Sequence, residues 1–193
     1  RKLSVTRVET WIRDPYALYA REILRLDELE PPDAPLEAMA RGTAVHAALE
    51  AFSRLHDQGP VEDGAATFER LLNEALEAAG LSEQGRAREA ALARNSGPHF
   101  ADWEPRRRAG ATVLVEGYGA HDVRVNGRPF RITAKADRIE LRSDGADILD
   151  FKTGSTPGKK EVACGLAPQL TLTAAILQAG GFDGVPTGTD PRE

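Results

Sequence analysis

The hydrophobic period of the chain changes once. Over residues 4–26 apolar side chains recur at helical spacing (Val5, Val8, Ile12, Tyr16, Tyr19, Ile23, Leu26) behind a Ser/Thr-rich cap. Asp14-Pro15 interrupts that pattern, because proline disfavours a helical conformation at the residue before it; two short helices are expected, meeting there. Glu30-Pro-Pro-Asp-Ala-Pro35 reads as a linker with no helical option. A helix is expected from Leu36 to near His56, with Leu36, Met39, Val45, Leu49 and Phe52 as its core contacts. Gly42 costs about 1 kcal/mol inside a helix relative to alanine, and so marks a close approach or a helix start. Residues 61–94 are rich in Ala, Glu and Arg and broken by Gly80-Leu-Ser82, which predicts two amphipathic helices packed outside the main core. Residues 97–108 read as a loop followed by a solvated basic turn, Arg106-Arg107-Arg108.

From Ala111 the period is that of strands. Val113 and Val115, then His121–Val125, a turn at Asn126-Gly127, and Phe130–Ala136 form a meander. It runs into a hairpin turning at Ser143-Asp144-Gly145, where Asp-Gly supplies positive φ, with the second strand carried through Lys152. A helix with Leu170, Leu172, Ile176 and Leu177 follows and ends at Gly180-Gly181. The fold class is thus mixed α/β (α+β). A single domain is expected over 1–193: a mainly helical part (1–110), a sheet with its returning helix (111–180), and a mobile tail (181–193).

Composition narrows the picture without naming a chemistry. With 41% hydrophobic and 28% charged residues the chain is of globular type. No apolar run approaches a membrane span and no signal peptide is visible, and a cytoplasmic location is expected. The single cysteine, Cys164, excludes an internal disulfide framework and a multi-thiolate metal site. A chain that starts at Arg1 and has Met39 as its one methionine is expected to be part of a longer polypeptide. The net charge of −5 gives no global attraction to nucleic acid, so binding would need local basic groups. Arg106, Arg107, Arg108, Lys159 and Lys160 are the candidates to track a phosphate backbone, although a solvated face is the favoured reading for them.

The charged hairpin holds the candidate chemistry. On its second strand Asp150 and Lys152 are two apart and so share a face, and Asp137 lies on the neighbouring strand. Ordinary cross-strand ion pairs explain the hairpin alone equally well. His46 by itself fits a satisfied core histidine, and Asp137 with Arg138 fits a surface pair. Glu50, on the same helical face as His46, is either a carboxylate supporting it or a surface charge. Glu116 is read as a solvated strand residue, with a place in the same cleft as the alternative. His56, His99 and His121 have no partner spacing.

Four features in order break the tie. The spacing Asp137 … Asp150-Phe151-Lys152 resembles the PD-(D/E)XK nuclease pattern. Gly42-Thr43-Ala44-Val45-His46-Ala47-Ala48-Leu49-Glu50 resembles the helical histidine motif of the RecB-like branch of that superfamily, Asp150-Phe-Lys-Thr-Gly154 its central strand motif, and Gln169-Leu170 its glutamine motif. Ser4-Val-Thr-Arg-Val-Glu-Thr-Trp-Ile-Arg-Asp-Pro-Tyr16, Leu166-Ala-Pro-Gln-Leu-Thr-Leu-Thr-Ala-Ala-Ile-Leu177 and Gly181-Phe-Asp-Gly-Val-Pro186 are similar to AddB-type nuclease domains of the alphaproteobacterial kind.

The resemblance implies a restriction-endonuclease-like core, a central mixed sheet flanked by helices with a helical N-terminal part. It implies a Mg²⁺- or Mn²⁺-dependent deoxyribonuclease (exonuclease) domain, acting on a single DNA strand in double-strand break repair beside an AddA-type helicase subunit. Asp137, Asp150, His46 and the carbonyl of Phe151 would hold the metal, Lys152 would act on the attacking water or phosphate, and Gln169 would orient the water or the metal's surroundings. Two positions depart from the pattern. Asp14 stands where many relatives carry the first cysteine of an iron–sulfur cluster; a carboxylate is a poor substitute for a thiolate, so no cluster is expected. Thr173 stands where relatives often have tyrosine or glutamate. The alternative function is a nuclease-like module that binds DNA or docks a partner without cleaving. Activity in isolation is a separate question, since truncation can remove strands that brace the sheet.

Overall fold

The computed structural model describes residues 2–26 and 36–192, with the backbone alone for 36–38. The linker expected over Glu30–Pro35 and the core role expected of Leu36 lie outside what is described. The described residues divide into a sheet unit (2–26, 116–150 and 154–192) and a helical unit (36–115 and 151–153).

In the sheet unit one long strand, β3 (Arg128–Arg142), pairs with every other strand. β2 (Thr112–Val125) enters it through Asn126-Gly127, whose φ values of 50° and 76° are those of the expected hairpin turn. β4 (Gly145–Leu149) runs antiparallel to β3, with Arg142 opposite Gly145 and Arg138 opposite Leu149, so the loop between them is Ser143-Asp144 alone. Gly145 has φ 140°, and a Cβ there would stand 2.5 Å from the carbonyl oxygen of Asp190. β1 (Lys2–Ser4) joins in parallel, Lys2 opposite Arg131 and Ser4 opposite Thr133, which makes the sheet mixed. Three residues carry no readable period, and the sequence reading has no strand there.

The helices of this unit follow their caps. α1 (Val5–Arg13) starts where the Ser4 hydroxyl accepts from the Arg7 N–H. α2 (Pro15–Glu22) starts at Asp14, whose carboxylate accepts from the N–H groups of Tyr16 and Ala17, so the expected break falls at Asp14-Pro15. The expected helical part over 1–110 is therefore divided, with α1 and α2 belonging to the sheet unit. A five-residue helix, α6 (Lys159–Ala163), falls where no element is predicted. α7 (Gln169–Gln178) buries Ile176 and Leu177 and packs on β3. The tail expected to be mobile is packed instead. Phe182 and Val185 are buried, Ala120 donates to Gly181 O, and Ala146 donates to Asp190 O. A Cβ on Gly119 would fall 2.6 Å from the Phe182 ring, so the bare glycine leaves room for that side chain.

From Ala134 to Glu140 the even positions of β3 are buried even where they are charged. Arg138 (1% exposed) donates through Nε to Glu140 (0% exposed) at 2.8 Å, and Arg142 donates to the other Glu140 oxygen at 2.9 Å and to Asp147 at 3.2 Å. The bond to Glu140 raises the Arg142 pKa above its usual value. The surface-pair alternative for Asp137 and Arg138 is thereby excluded.

The helical unit is α3 (Leu36–Asp57), α4 (Gly64–Ala78) and α5 (Glu83–Arg108). Ala44, Ala48, Leu49 and Phe52 of α3 form one core with Phe68, Leu72 and Leu76 of α4 and Ala93 of α5. The helices expected outside the main core thus build a core of their own. Met39 is 66% exposed and takes no part, because Ala44 and Ala48 face inward on α3 instead. The loop expected over 97–108 is the end of α5, which continues through Pro98 and Pro105. Each proline removes a helical hydrogen bond, but packing on both sides holds the helix. A Cβ on Gly97 would lie 3.1 Å from the Ala65 carbonyl, and Phe100 packs on Phe68 at a centroid distance of 4.9 Å.

Removing the counter-charge of two guanidinium groups is expected to be expensive. Glu140→Ala should cost about 3–5 kcal/mol of stability, read by chemical denaturation.

Candidate metal centre

On β3, Lys135 and Asp137 occupy the odd positions while Ala134, Ala136 and Arg138 take the buried even ones. Asp137 is half-buried. Glu116, on β2, has φ 55°, a left-handed value that a non-glycine residue adopts at a cost of about 1–3 kcal/mol. Its carboxylate and that of Asp137 bring oxygens within 4.8 Å of each other, and its side chain is only 14% exposed. Lys135 is ion-paired with it. Reading Glu116 as a solvated strand residue is corrected: the positive φ breaks the two-residue alternation on which that reading relied. The one local sign is the glycine that follows it, Gly117.

Asp150 follows the last residue of β4. The ladder stops at Leu149, three residues short of the expected Lys152, so a shared strand face for Asp150 and Lys152 has no pairing behind it. What fixes Asp150 is Gln169, the first residue of α7, whose Nε2 donates to Asp150 Oδ1 at 2.6 Å. The structure therefore joins Asp137 to Glu116 and Asp150 to Gln169. Lys152 is exposed.

In the helical unit, His46 on α3 is half-buried and lies edge-on to Phe151 at 6.5 Å. Phe151 in turn meets Trp103 at 6.3 Å, and Trp103 meets Phe100 at 6.2 Å, so rings run in contact from His46 to the core. Gly42 sits where a Cβ would lie 3.5 Å from Thr153 Oγ1, an ordinary contact that does not itself demand glycine. Glu50 accepts from Arg54 one turn on, at 2.9 Å, which favours the surface-charge alternative.

The basic candidates separate. Arg108 donates to Glu104 at 3.1 Å, to Asp57 at 2.6 Å and to the Ser53 carbonyl at 2.8 Å, and is largely buried; it is a brace of the helical unit, not a phosphate contact. Arg106 is paired with Asp102, and Arg107 is half-buried. Lys159 and Lys160 are exposed at the start of α6. No helix among the described residues is long and apolar enough to cross a membrane.

The family model of the PD-(D/E)XK nuclease superfamily matches residues 2–192. The chain belongs to this superfamily. Its four-stranded mixed sheet flanked by helices is consistent with the restriction-endonuclease-like fold. An uncharacterized protein of Rickettsia bellii is 31% identical over 183 residues, covering 94% of this chain and 22% of that protein. One from Rickettsia conorii is 31% identical over 186 residues, covering 93% and 22%. This PD-(D/E)XK chain thus spans about a fifth of the length of the curated relatives it matches.

The carboxylate pair fits a divalent cation. Their oxygens lie within 4.8 Å of each other, close enough for one hard divalent cation, with bonds of about 2.1 Å for Mg²⁺, to be held by both. Gln169 fixes one oxygen of Asp150, so with Asp150 as a further ligand of that cation Gln169→Ala should weaken Mn²⁺ binding about 10- to 100-fold, measured by titration calorimetry.

Proposed function

We propose that the domain is a Mg²⁺- or Mn²⁺-dependent deoxyribonuclease of the RecB-like, AddB type, acting as an exonuclease on a DNA strand during double-strand break end processing, in the cytoplasm and beside an AddA-type helicase subunit. The observation that carries the metal-dependent part is the half-buried Glu116–Asp137 carboxylate pair in a chain of the PD-(D/E)XK superfamily. The AddB part is supported by the order of the motifs ending in His46-Ala-Ala-Leu-Glu50, Asp137, Asp150-Phe-Lys-Thr-Gly154 and Gln169-Leu170, and by the opening stretch to Tyr16.

In this reading Asp137, Asp150 and Glu116 are the oxygen ligands, with the Phe151 carbonyl a further one and His46 the nitrogen ligand. A divalent cation bound there would neutralise charge on the phosphate and favour a deprotonated water at neutral pH. Gln169 keeps the Asp150 carboxylate turned to one orientation through its amide N–H on Oδ1. Lys152, exposed beside Asp150, places its ammonium against the scissile phosphate and stabilises negative charge as it develops. Lys159 and Lys160 extend that positive surface along the strand. The reading calls for no iron–sulfur cluster, and Asp14 is already engaged as the cap of α2.

The test is titration of Mn²⁺ into the protein and into Asp150→Ala, followed by incubation of both with single-stranded DNA. Saturable binding and cleavage in the parent, each lowered at least tenfold in the variant, are the expected results. Binding without cleavage would favour the non-cleaving module, and identical metal binding by the two proteins would sink the metal-site reading.

A further inference from the structure

The Glu116–Asp137 pair poses a charge problem that its own strand answers. Two carboxylates with oxygens within 4.8 Å of each other repel unless a cation balances them. Lys135 lies two residues before Asp137 on β3, hence on the same face, and its ammonium is ion-paired with Glu116. The two partners differ sharply in surroundings: the Lys135 side chain is 65% exposed and that of Glu116 14%. Glu116 is held by a backbone conformation few residues adopt, whereas Lys135 has a long flexible stem and can swing its charge into solvent without moving the strand. An ammonium brings one charge to the Glu116 oxygens and a divalent metal ion brings two. Both cannot sit on the same oxygens.

We propose that Lys135 is the resident counter-ion of the carboxylate pair: it holds Glu116 while no divalent cation is bound, is displaced when one enters, and then presents its freed ammonium to the anionic substrate. The inference rests on the metal-dependent reading above and adds a competition that reading does not contain. Lys135 opposes metal loading, so deleting its charge strengthens metal binding, whereas deleting a ligand weakens it. The ammonium also stabilises the metal-free protein by relieving carboxylate repulsion, a contribution that vanishes once the metal has replaced it.

The experiment compares the parent protein, Lys135→Gln and Lys135→Arg at pH 7.5 without DNA, by Mn²⁺ titration calorimetry and by thermal unfolding with and without Mn²⁺. The Gln variant should bind Mn²⁺ on the order of tenfold more tightly than the parent. Its metal-free unfolding midpoint should fall, its metal-loaded midpoint should match the parent's, and the Arg variant should behave as the parent in both. Equal or weaker Mn²⁺ binding by Lys135→Gln beside a parent that binds would overturn the counter-ion role and leave the metal site standing. Equal tightening by Lys135→Arg would overturn it too, since the charge would then not be the cause. A parent with no saturable Mn²⁺ binding would overturn the metal-site reading and this inference with it.

Discussion

The register of β3 is the constraint on which the sheet unit depends. All three other strands pair with it, and in a strand a slip of one residue exchanges the two faces, which would put Ala136 or Arg138 where Asp137 stands. The register is held at both ends of the strand. The Asn126-Gly127 turn sets it against β2, and the two-residue loop before Gly145 sets it against β4, with no room for a side chain between Gly145 and Asp190. Between these ends Glu140 ties Arg138 to Arg142, and Arg142 reaches across to Asp147 on β4. A slipped register would have to break this network and leave charges buried without partners, which costs far more than the network stabilises.

The same strand thus uses charge for two ends, and burial decides which. At even positions Arg138 and Glu140 are sealed from water and paired with each other, and that pairing serves to fix position. At odd positions Lys135 and Asp137 keep access to solvent. Glu116 pays a backbone cost to stand beside them, and a strained residue kept in a sheet is the usual mark of a group whose placement matters more than its comfort.

That division also sets what could be read from residues alone. Turns with a stereochemical reason behind them, Asn126-Gly127 and Asp14-Pro15, were legible, and so were the long periodic helices α3 and α7. β1 is too short to have a period, and α6 is a five-residue helix whose Glu161 cap on Gly158 is a local detail. The end of α5 was hidden because its prolines speak locally for a loop, and only Ala65 and Phe68, some thirty residues earlier, outvote them. Arg108 shows the limit most plainly: three consecutive arginines look alike in sequence, and the third is buried against Glu104 and Ser53 by packing that composition cannot reveal. Asp137, Asp150 and Gln169 are singled out by motif spacing alone. That Gln169 would hold Asp150, and that Glu116 would be the near neighbour of Asp137, depended on backbone geometry.

Charge balance joins the site to the proposed role. A protein of net charge −5 that gathers Glu116, Asp137 and Asp150 in its sheet unit repels a polyanion at long range. Beside the carboxylate pair the opposing charge is Lys135, while Lys159 and Lys160 stand exposed at the start of α6 and Arg108 and Arg106 are committed within the helical unit. Each cation that neutralises a phosphate adds to affinity and to its salt dependence. Long-range repulsion would be tolerable in the proposed role, where a strand delivered to the domain lets effective concentration replace affinity. A divalent cation in the carboxylate pair would reverse the local sign of the field where the phosphate must approach. The domain would then engage a strand held at the site and ignore one that merely drifts past.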